Sequence, residues 1–206
     1  MTAIVDYGVG NLFSLKSSFA AIGEEICVSS AAEEIKAADR VILPGVGAFE
    51  DAARKLRESG LAQTLREIAM EGKPLMGICL GMQLLFERSY EYGVHEGLGL
   101  IPGEIKPIAE VIRSGLKIPH MGWNRLDYLN GKSELFKYLG DEEYVYFVHS
   151  YYASCPAEYI IAQSEYGHPL TAAVRNRNVY GCQFHPEKSG EKGLKILKAF
   201  CEVKVC

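Results

Sequence analysis

The run Gly77-Ile78-Cys79-Leu80-Gly81 constrains the fold of this chain more than any other stretch. The apolar segment Pro74-Leu75-Met76 leads into it, and the helix-like segment Met82-Gln83-Leu84-Leu85-Phe86-Glu87 leaves it. A strand handed to a helix through so sharp a turn needs residues without a bulky Cβ on either side of the central one, and glycine meets that need. The residue at the apex is a thiol at a helix start, where unpaired N–H groups and the positive end of the helix dipole favour thiolate over thiol. Far downstream, Gln183-Phe184-His185-Pro186-Glu187 offers an imidazole and a carboxylate two residues apart. These are the groups needed to take the thiol proton and to hold the imidazole in one tautomer. A buried, inert side chain is the common fate of a single cysteine, and a lone His-x-Glu says little. Together, with the elbow glycines between them, the pieces point to Cys79, His185 and Glu187 as a catalytic triad.

Around the elbow the first ninety residues alternate short β-like runs with longer helix-like ones, the pattern of a parallel sheet covered by helices. Residues 3–7 read as a strand, 12–22 as a helix, 25–28 and 40–43 as strands. A helical region runs from Glu50 to about Glu71, broken near Gly60. After about Gly93 glycine, proline and aromatic residues increase, and strands are expected over 103–108, 118–126, 144–153, 160–165, 171–175 and 179–184. Residues 190–203 close the chain as a helix, with Leu194, Leu197 and Ala199 to Cys201 spaced for burial. No repeat or linker composition interrupts the 206 residues, so a single domain over 1–206 is expected.

Composition excludes several classes of function. Hydrophobic residues make up 48% and charged residues 23%, as in an ordinary soluble protein, and the formal net charge of -4 leaves no basic footprint for nucleic acid. The start, Met1 to Asp6, lacks the basic region of a signal peptide, and no apolar run approaches the length of a membrane span. A cytoplasmic protein with no membrane and no nucleic-acid partner is expected. The six cysteines contain no C-x-x-C pair and no zinc-like spacing, so no metal is expected and the thiols read as free. Cys27, Cys155, Cys182 and Cys201 are expected in or near the core, and Cys206 exposed.

Acyl chemistry needs more than a triad. Attack on an acyl carbon develops an oxyanion, which backbone N–H groups stabilise. The N–H of Leu80, next to the nucleophile, is one natural donor. The loop Pro44-Gly45-Val46-Gly47 is the candidate for a second, although the loop taken alone reads first as a tight strand-to-helix turn with no further role. Gln83 lies one helical turn after Cys79, where its amide suits recognition of a carboxamide; a solvent-exposed helical glutamine is the plain alternative. His149 ends a strongly β-like run, either presenting a polar group at a strand terminus or sitting satisfied in the core. The lone tryptophan, Trp123, reads as core or as an interface residue.

These residues also resemble a known family. Pro-Gly-x-Gly at 44–47, Gly-Ile-Cys-Leu-Gly-Met-Gln at 77–83, Phe-Val-His-Ser-Tyr at 147–151 and Gln-Phe-His-Pro-Glu at 183–187 are similar to the four motif blocks of class I (triad) glutamine amidotransferases. Two further runs, Asp6 to Leu12 and Pro119 to Asn124, resemble the glutaminase subunits of imidazole glycerol phosphate synthases, which serve histidine biosynthesis. The similarity extends from the first strand to Lys188, with no departure at a triad position. It implies the family's α/β fold, a flavodoxin-like open mixed sheet flanked by helices. It implies Cys79 as nucleophile, His185 as general base and acid, and Glu187 as the orienting carboxylate. Gly47 and Leu80 are implied around the oxyanion, and Gln83, Glu91, Ser150 and Tyr151 around L-glutamine. The implied partner is a (β/α)8-barrel cyclase subunit that receives the ammonia in a heterodimer. Asn11, Pro119, Trp123, Tyr146 and Lys188 match positions that lie toward it.

The residues themselves agree on one point independently. The chain carries no P-loop and no dinucleotide fingerprint, so no cofactor is expected and an ammonia acceptor needs a site on another chain. Two other readings stand beside this one. A glutaminase of vitamin B6, purine, anthranilate or pyrimidine synthesis keeps the chemistry and changes the pathway. A cysteine peptidase or a non-catalytic scaffold keeps the fold and changes the function.

Overall fold

The computed structural model describes residues 1–204; the expected exposure of Cys206 lies outside them. Five parallel strands form one half of a nine-stranded sheet: β1 (Thr2–Val5), β2 (Ile26–Ser29), β3 (Arg40–Leu43), β4 (Leu75–Ile78) and, far along the chain, the strand Val179–Cys182. The first four are joined by helices α1 (Leu12–Ala21), α2 (Ala32–Ala37), α3 (Phe49–Glu58) and α4 (Leu61–Met70), and β4 runs into α5 (Leu80–Leu84). Three short strands follow, β5 (Phe86–Ser89), β6 (His95–Glu96) and β7 (Ile101–Pro107), then β8 (His120–Tyr128), β9 (Glu143–His149), β10 (Tyr151–Ser154), β11 (Ile160–Glu165), β12 (Pro169–Asn176) and β13 (Val179–Cys182). Helix α6 (Gly190–Cys201) completes the order. The large sheet runs β2-β1-β3-β4-β13-β12-β11-β8-β9, and the small one β10-β7-β5-β6. The open mixed sheet between helices is the architecture expected from the sequence.

Alternation along the parallel strands divides the interior in two. Ala3 and Val5 point with Val41 and Leu43 into one core, packed by α2, α3 and α4, while Ile4 and Ile42 point with Met76 and Ile78 into the other, packed by α1 and α6. Helix α3 shows how sequence makes such a layer. Phe49, Ala52, Ala53 and Leu56 recur at helical spacing and are buried, Glu50 and Asp51 sit in the first turn, and Lys55 and Arg57 in the last, each charge matched to the helix dipole. Full burial of Phe49 alone stabilises by about 1.5–3 kcal/mol. Gly60, in the left-handed region at φ 76°, separates α3 from α4 where the break was expected.

Other expectations are corrected. Helix α2 has no counterpart in the sequence reading; its six residues bury only Ile35, too little periodicity to read. The helix expected over 82–87 instead spans Leu80–Leu84 and gives way to β5, because Phe86 to Ser89 pair with β7 and β6. The run read as one strand over 144–153 breaks at Ser150, and β9 and β10 belong to different sheets. On α6, Leu197 and Ala199 to Cys201 are buried as expected, but Leu194 is only half-buried, and Ile196, not among the expected residues, is fully buried. Cys182 and Cys201 are buried as expected, and Cys27 and Cys155 partly so.

Candidate active site

Parallel pairing aligns the carboxyl ends of β1, β3, β4 and β13 on one edge of the sheet, the edge where open α/β sheets hold their ligands. Three of those ends carry the candidate groups: Pro44 to Gly47 after β3, Cys79 after β4, and Gln183 to Glu187 after β13. Cys79 N donates to Cys182 O at 2.8 Å, tying the elbow to β13.

Cys79 adopts φ 54° and ψ −112°, a conformation that costs a non-glycine residue on the order of 1–3 kcal/mol and lifts its side chain off the strand axis. The flanking glycines are close-contact residues. A Cβ on Gly81 would lie 1.9 Å from Leu43 O, and one on Gly77 2.5 Å from Gly81 O. Gly47, at φ 94°, keeps open space where a side chain would be. Tyr7 holds the loop before it: its hydroxyl donates to Pro44 O at 2.7 Å, and burial, with the nearby Cys79, raises its pKa. Neither Tyr7 nor its contact was foreseen, because nothing in the residues after β1 signals a long-range bond.

The expected triad comes together. His185 is 2% exposed, and its Nδ1 lies 2.7 Å from Glu187 Oε1. Both side chains are nearly inaccessible, and Glu187 Oε2 has no hydrogen-bond partner among the described residues. Burial acts to lower the pKa of His185, yet hydrogen bonds to Cys79 and Glu187 and the charges of both raise it to about 9. The backbone around the imidazole is pinned: His185 N donates to Tyr146 O at 2.9 Å, and Ser189 Oγ donates to His185 O at 2.6 Å.

A cavity of about 340 Å³ opens over Cys79 and His185, within the range of small-molecule sites. Gly47 and Leu80 line one side, and Gln83, Glu91, Ser150 and Tyr151 line the rest, so every residue expected around the oxyanion or the glutamine reaches this space. Gln83 is only 6% exposed, which removes the reading of a solvent-facing helical glutamine. Its Nε2 donates to Tyr151 O at 3.2 Å and to Gln183 Oε1 at 3.0 Å. Glu91 Oε2 accepts from Phe49 N at 2.6 Å, capping α3. Glu187 stands behind His185 and does not line the cavity. Gln183, whose Nε2 lies 3.7 Å from Cys79 Sγ, is a further residue of the site, and its place in the Gln183 to Glu187 run is the signal for it in the sequence.

The five positions expected to face a partner divide. Pro119 and Lys188 line the cavity. Trp123 is 56% exposed and packs edge-on against Tyr146, with ring centroids 6.2 Å apart, so the core reading of this tryptophan falls. Asn11 caps α1, its Oδ1 accepting from Ser14 N at 3.2 Å, and lies apart from the cavity. Among the described residues no cluster of three or more metal-ligating side chains occurs, and no helix is long and apolar enough to cross a membrane.

With this geometry in view, the Glutamine amidotransferase class-I family profile matches residues 3–203. The chain belongs to the class I glutamine amidotransferases. Within that family it is similar to the imidazole glycerol phosphate synthase subunit HisH of Listeria monocytogenes serotype 4a (strain HCC23), 52% identical over 203 residues that cover 98% of this chain and 96% of the relative. The subunit HisH of Lactococcus lactis subsp. lactis (strain IL1403) is 50% identical over 200 residues, covering 97% of this chain and 96% of the relative. Identity at this level over nearly full length makes the chain a member of the HisH group of class I amidotransferases. A solved glutamine amidotransferase superposes with a TM-score of 0.75 at 19% identity, covering 97% of each chain, which extends the fold alone.

Proposed function

We propose that this amidotransferase chain is the glutaminase subunit of an imidazole glycerol phosphate synthase. It hydrolyses L-glutamine at Cys79 and passes the ammonia to a (β/α)8-barrel cyclase subunit. The observation that carries the reading is the buried His185–Glu187 pair at 2.7 Å beside a strained cysteine at the floor of a ligand-sized cavity. Relatives that are about half identical are subunits of that synthase, which supports a partner subunit for this chain.

The chemistry follows from the groups present. Cys79, having lost its proton to His185, attacks the side-chain carbonyl carbon of glutamine. The negative oxygen that forms is stabilised by backbone N–H groups at Leu80 and the Gly47 loop. His185, held as imidazolium by Glu187, gives its proton to the amine, the C–N bond breaks, and ammonia leaves behind a thioester. A water molecule, deprotonated by His185, attacks the thioester carbon, and glutamate departs as the thiol is restored. Gln83, Glu91, Ser150 and Tyr151 hold the substrate against the elbow.

Ammonia is uncharged when it leaves and is lost to bulk water unless its exit is covered. Pro119 and Lys188 at the cavity, with Trp123 and Tyr146 on the adjacent face, suit a docking surface over that exit, and the exposed Met121 and Tyr144 extend the same apolar face. Measuring ammonia release from L-glutamine, with and without the cognate cyclase, tests the reading. Cys79→Ala is expected to abolish glutamine-dependent synthesis and to leave synthesis from added ammonia nearly intact. Glutamine turnover by Cys79→Ala within about tenfold of wild type would sink the assignment, because the proposed reaction runs through attack of the Cys79 thiolate on the carboxamide.

A further inference from the structure

Beneath the face that carries Met121, Trp123 and Tyr146, strands β8 and β9 set His120 opposite His149, and the mechanism above uses neither ring. Both are buried. His120 stacks between Phe147 and Tyr166, with ring centroids 4.8 Å and 4.2 Å away. His120 Nδ1 lies 3.0 Å from His149 Nε2, His149 Nδ1 lies 2.8 Å from Tyr151 O, and Asn124 Nδ2 lies 3.2 Å from His120 Nε2.

The two ends assign every proton in this chain of contacts. A carbonyl only accepts, so His149 Nδ1 carries hydrogen and donates to Tyr151. In a neutral ring Nε2 then accepts, so His120 Nδ1 donates to it and His120 Nε2 accepts from Asn124. The amide of Asn124 is oriented to match: Nδ2 also donates to Glu165 O at 2.9 Å, and Oδ1 accepts from Arg125 N at 2.8 Å. Both rings must be neutral for this order, and burial lowers His149 to about 3 and His120 to about 4. From Tyr151 O the network continues inward. Gln83 Nε2 donates to the same carbonyl and to Gln183 Oε1, and Gln183 Nε2 faces the Cys79 thiol at 3.7 Å.

Tyr151 begins β10 immediately after the break at Ser150, so its carbonyl stands where the chain leaves the large sheet for the small one and where the cavity wall turns toward Cys79. A short irregular joint of this kind holds its shape only through the bonds made to it. We infer that His120 and His149 are positioning residues for glutamine hydrolysis. They form a neutral, one-way hydrogen-bonded pair that fixes the Ser150–Tyr151 wall and, through Gln83 and Gln183, the orientation of the nucleophile. Because the pair lies on the inner side of the strands whose outer side carries Trp123 and Tyr146, it also joins the docking face to the thiol.

The inference rests on the glutaminase reading, and two substitutions at His120 separate it from a plain packing role. His120→Phe keeps an aromatic ring between Phe147 and Tyr166 but leaves His149 Nε2 without its donor. His120→Asn keeps a donor near the Nδ1 position and gives up the stacking. Steady-state kinetics with L-glutamine in the complex with the cognate cyclase, beside thermal melts of each variant, give the comparison. His120→Phe is expected to raise KM for glutamine about tenfold, the effect of roughly one lost hydrogen bond's worth of alignment. His120→Asn is expected to stay within about threefold of wild type in KM despite a lower Tm. A wild-type KM in His120→Phe, or a larger KM defect in His120→Asn than in His120→Phe, would overturn the positioning role and leave the glutaminase reading standing. Absence of glutamine hydrolysis in the wild-type complex would overturn that reading itself, and the inference with it.

Discussion

At the scale of single residues the site is a set of opposed electrostatic terms. Burial disfavours a charged imidazole at His185, and the adjacent thiol and the Glu187 carboxylate more than reverse this, carrying its pKa to about 9. The sign has a kinetic consequence. If His185 must be protonated to release ammonia, glutaminase activity falls as pH rises through about 9, because the proton donor is lost there. Glu187→Gln removes the carboxylate charge that helps raise the pKa, so its alkaline limb is expected at lower pH than in wild type, with more residual activity than Cys79→Ala. A pH profile of kcat for both proteins checks this, and an unshifted limb in Glu187→Gln would show that the limb does not belong to His185.

At the scale of elements, the elbow depends on how closely β3, β4 and α5 approach one another. The missing Cβ of Gly81 is what allows Leu43 O to sit where it does. Gly81→Ala would place a carbon 1.9 Å from that carbonyl, and both are backbone-anchored, so neither moves without displacing a central strand. The substitution is expected to destabilise by about 2–3 kcal/mol or more and to lower Tm by roughly 4–12 °C for a chain of this size, as read by thermal unfolding. The splitting of β9 from β10 belongs to the same scale. Both segments are β-like in composition, and the break at Ser150 exists because their hydrogen-bonding partners lie in different sheets.

At the scale of the whole molecule, the exposed face of β8 and β9 is where this chain is proposed to meet its partner. Trp123 is more than half exposed, so its removal is expected to leave the isolated subunit's Tm close to wild type, unlike the roughly 3–5 kcal/mol loss of a core tryptophan. In the complex, Trp123→Ala is expected to weaken association by roughly 1–4 kcal/mol and to let glutamine be hydrolysed without an equivalent yield of cyclised product. Titration calorimetry with the cyclase and a count of glutamate formed per product check the two effects. Unchanged affinity and unchanged stoichiometry would remove Trp123 from the interface.

The parallel half of the fold and the floor of the site were legible in the sequence because both rest on local rules. Alternating strand and helix periods mark β1 to β4 with α1, α3 and α4, and glycines flanking Cys79 mark a turn that few other residues can make. The imidazole and carboxylate of His185 and Glu187 lie two residues apart, so a short turn suffices to join them. The remainder depends on residues distant in the chain. Gln83 became a buried donor only because Tyr151 and Gln183 close over it, 68 and 100 positions away. Trp123 proved to be surface because β8 pairs with β9 near the open edge of the sheet, and no periodicity within the strand encodes which face remains uncovered. His120 meets His149 through cross-strand register alone. Sequence by itself determined the strands and most helices of the parallel half and the reactive groups, since propensity and turn chemistry act over a few residues; only tertiary structure decided where β9 parts from β10 and which polar groups share a proton network, since both are fixed by pairing between strands far apart in the chain.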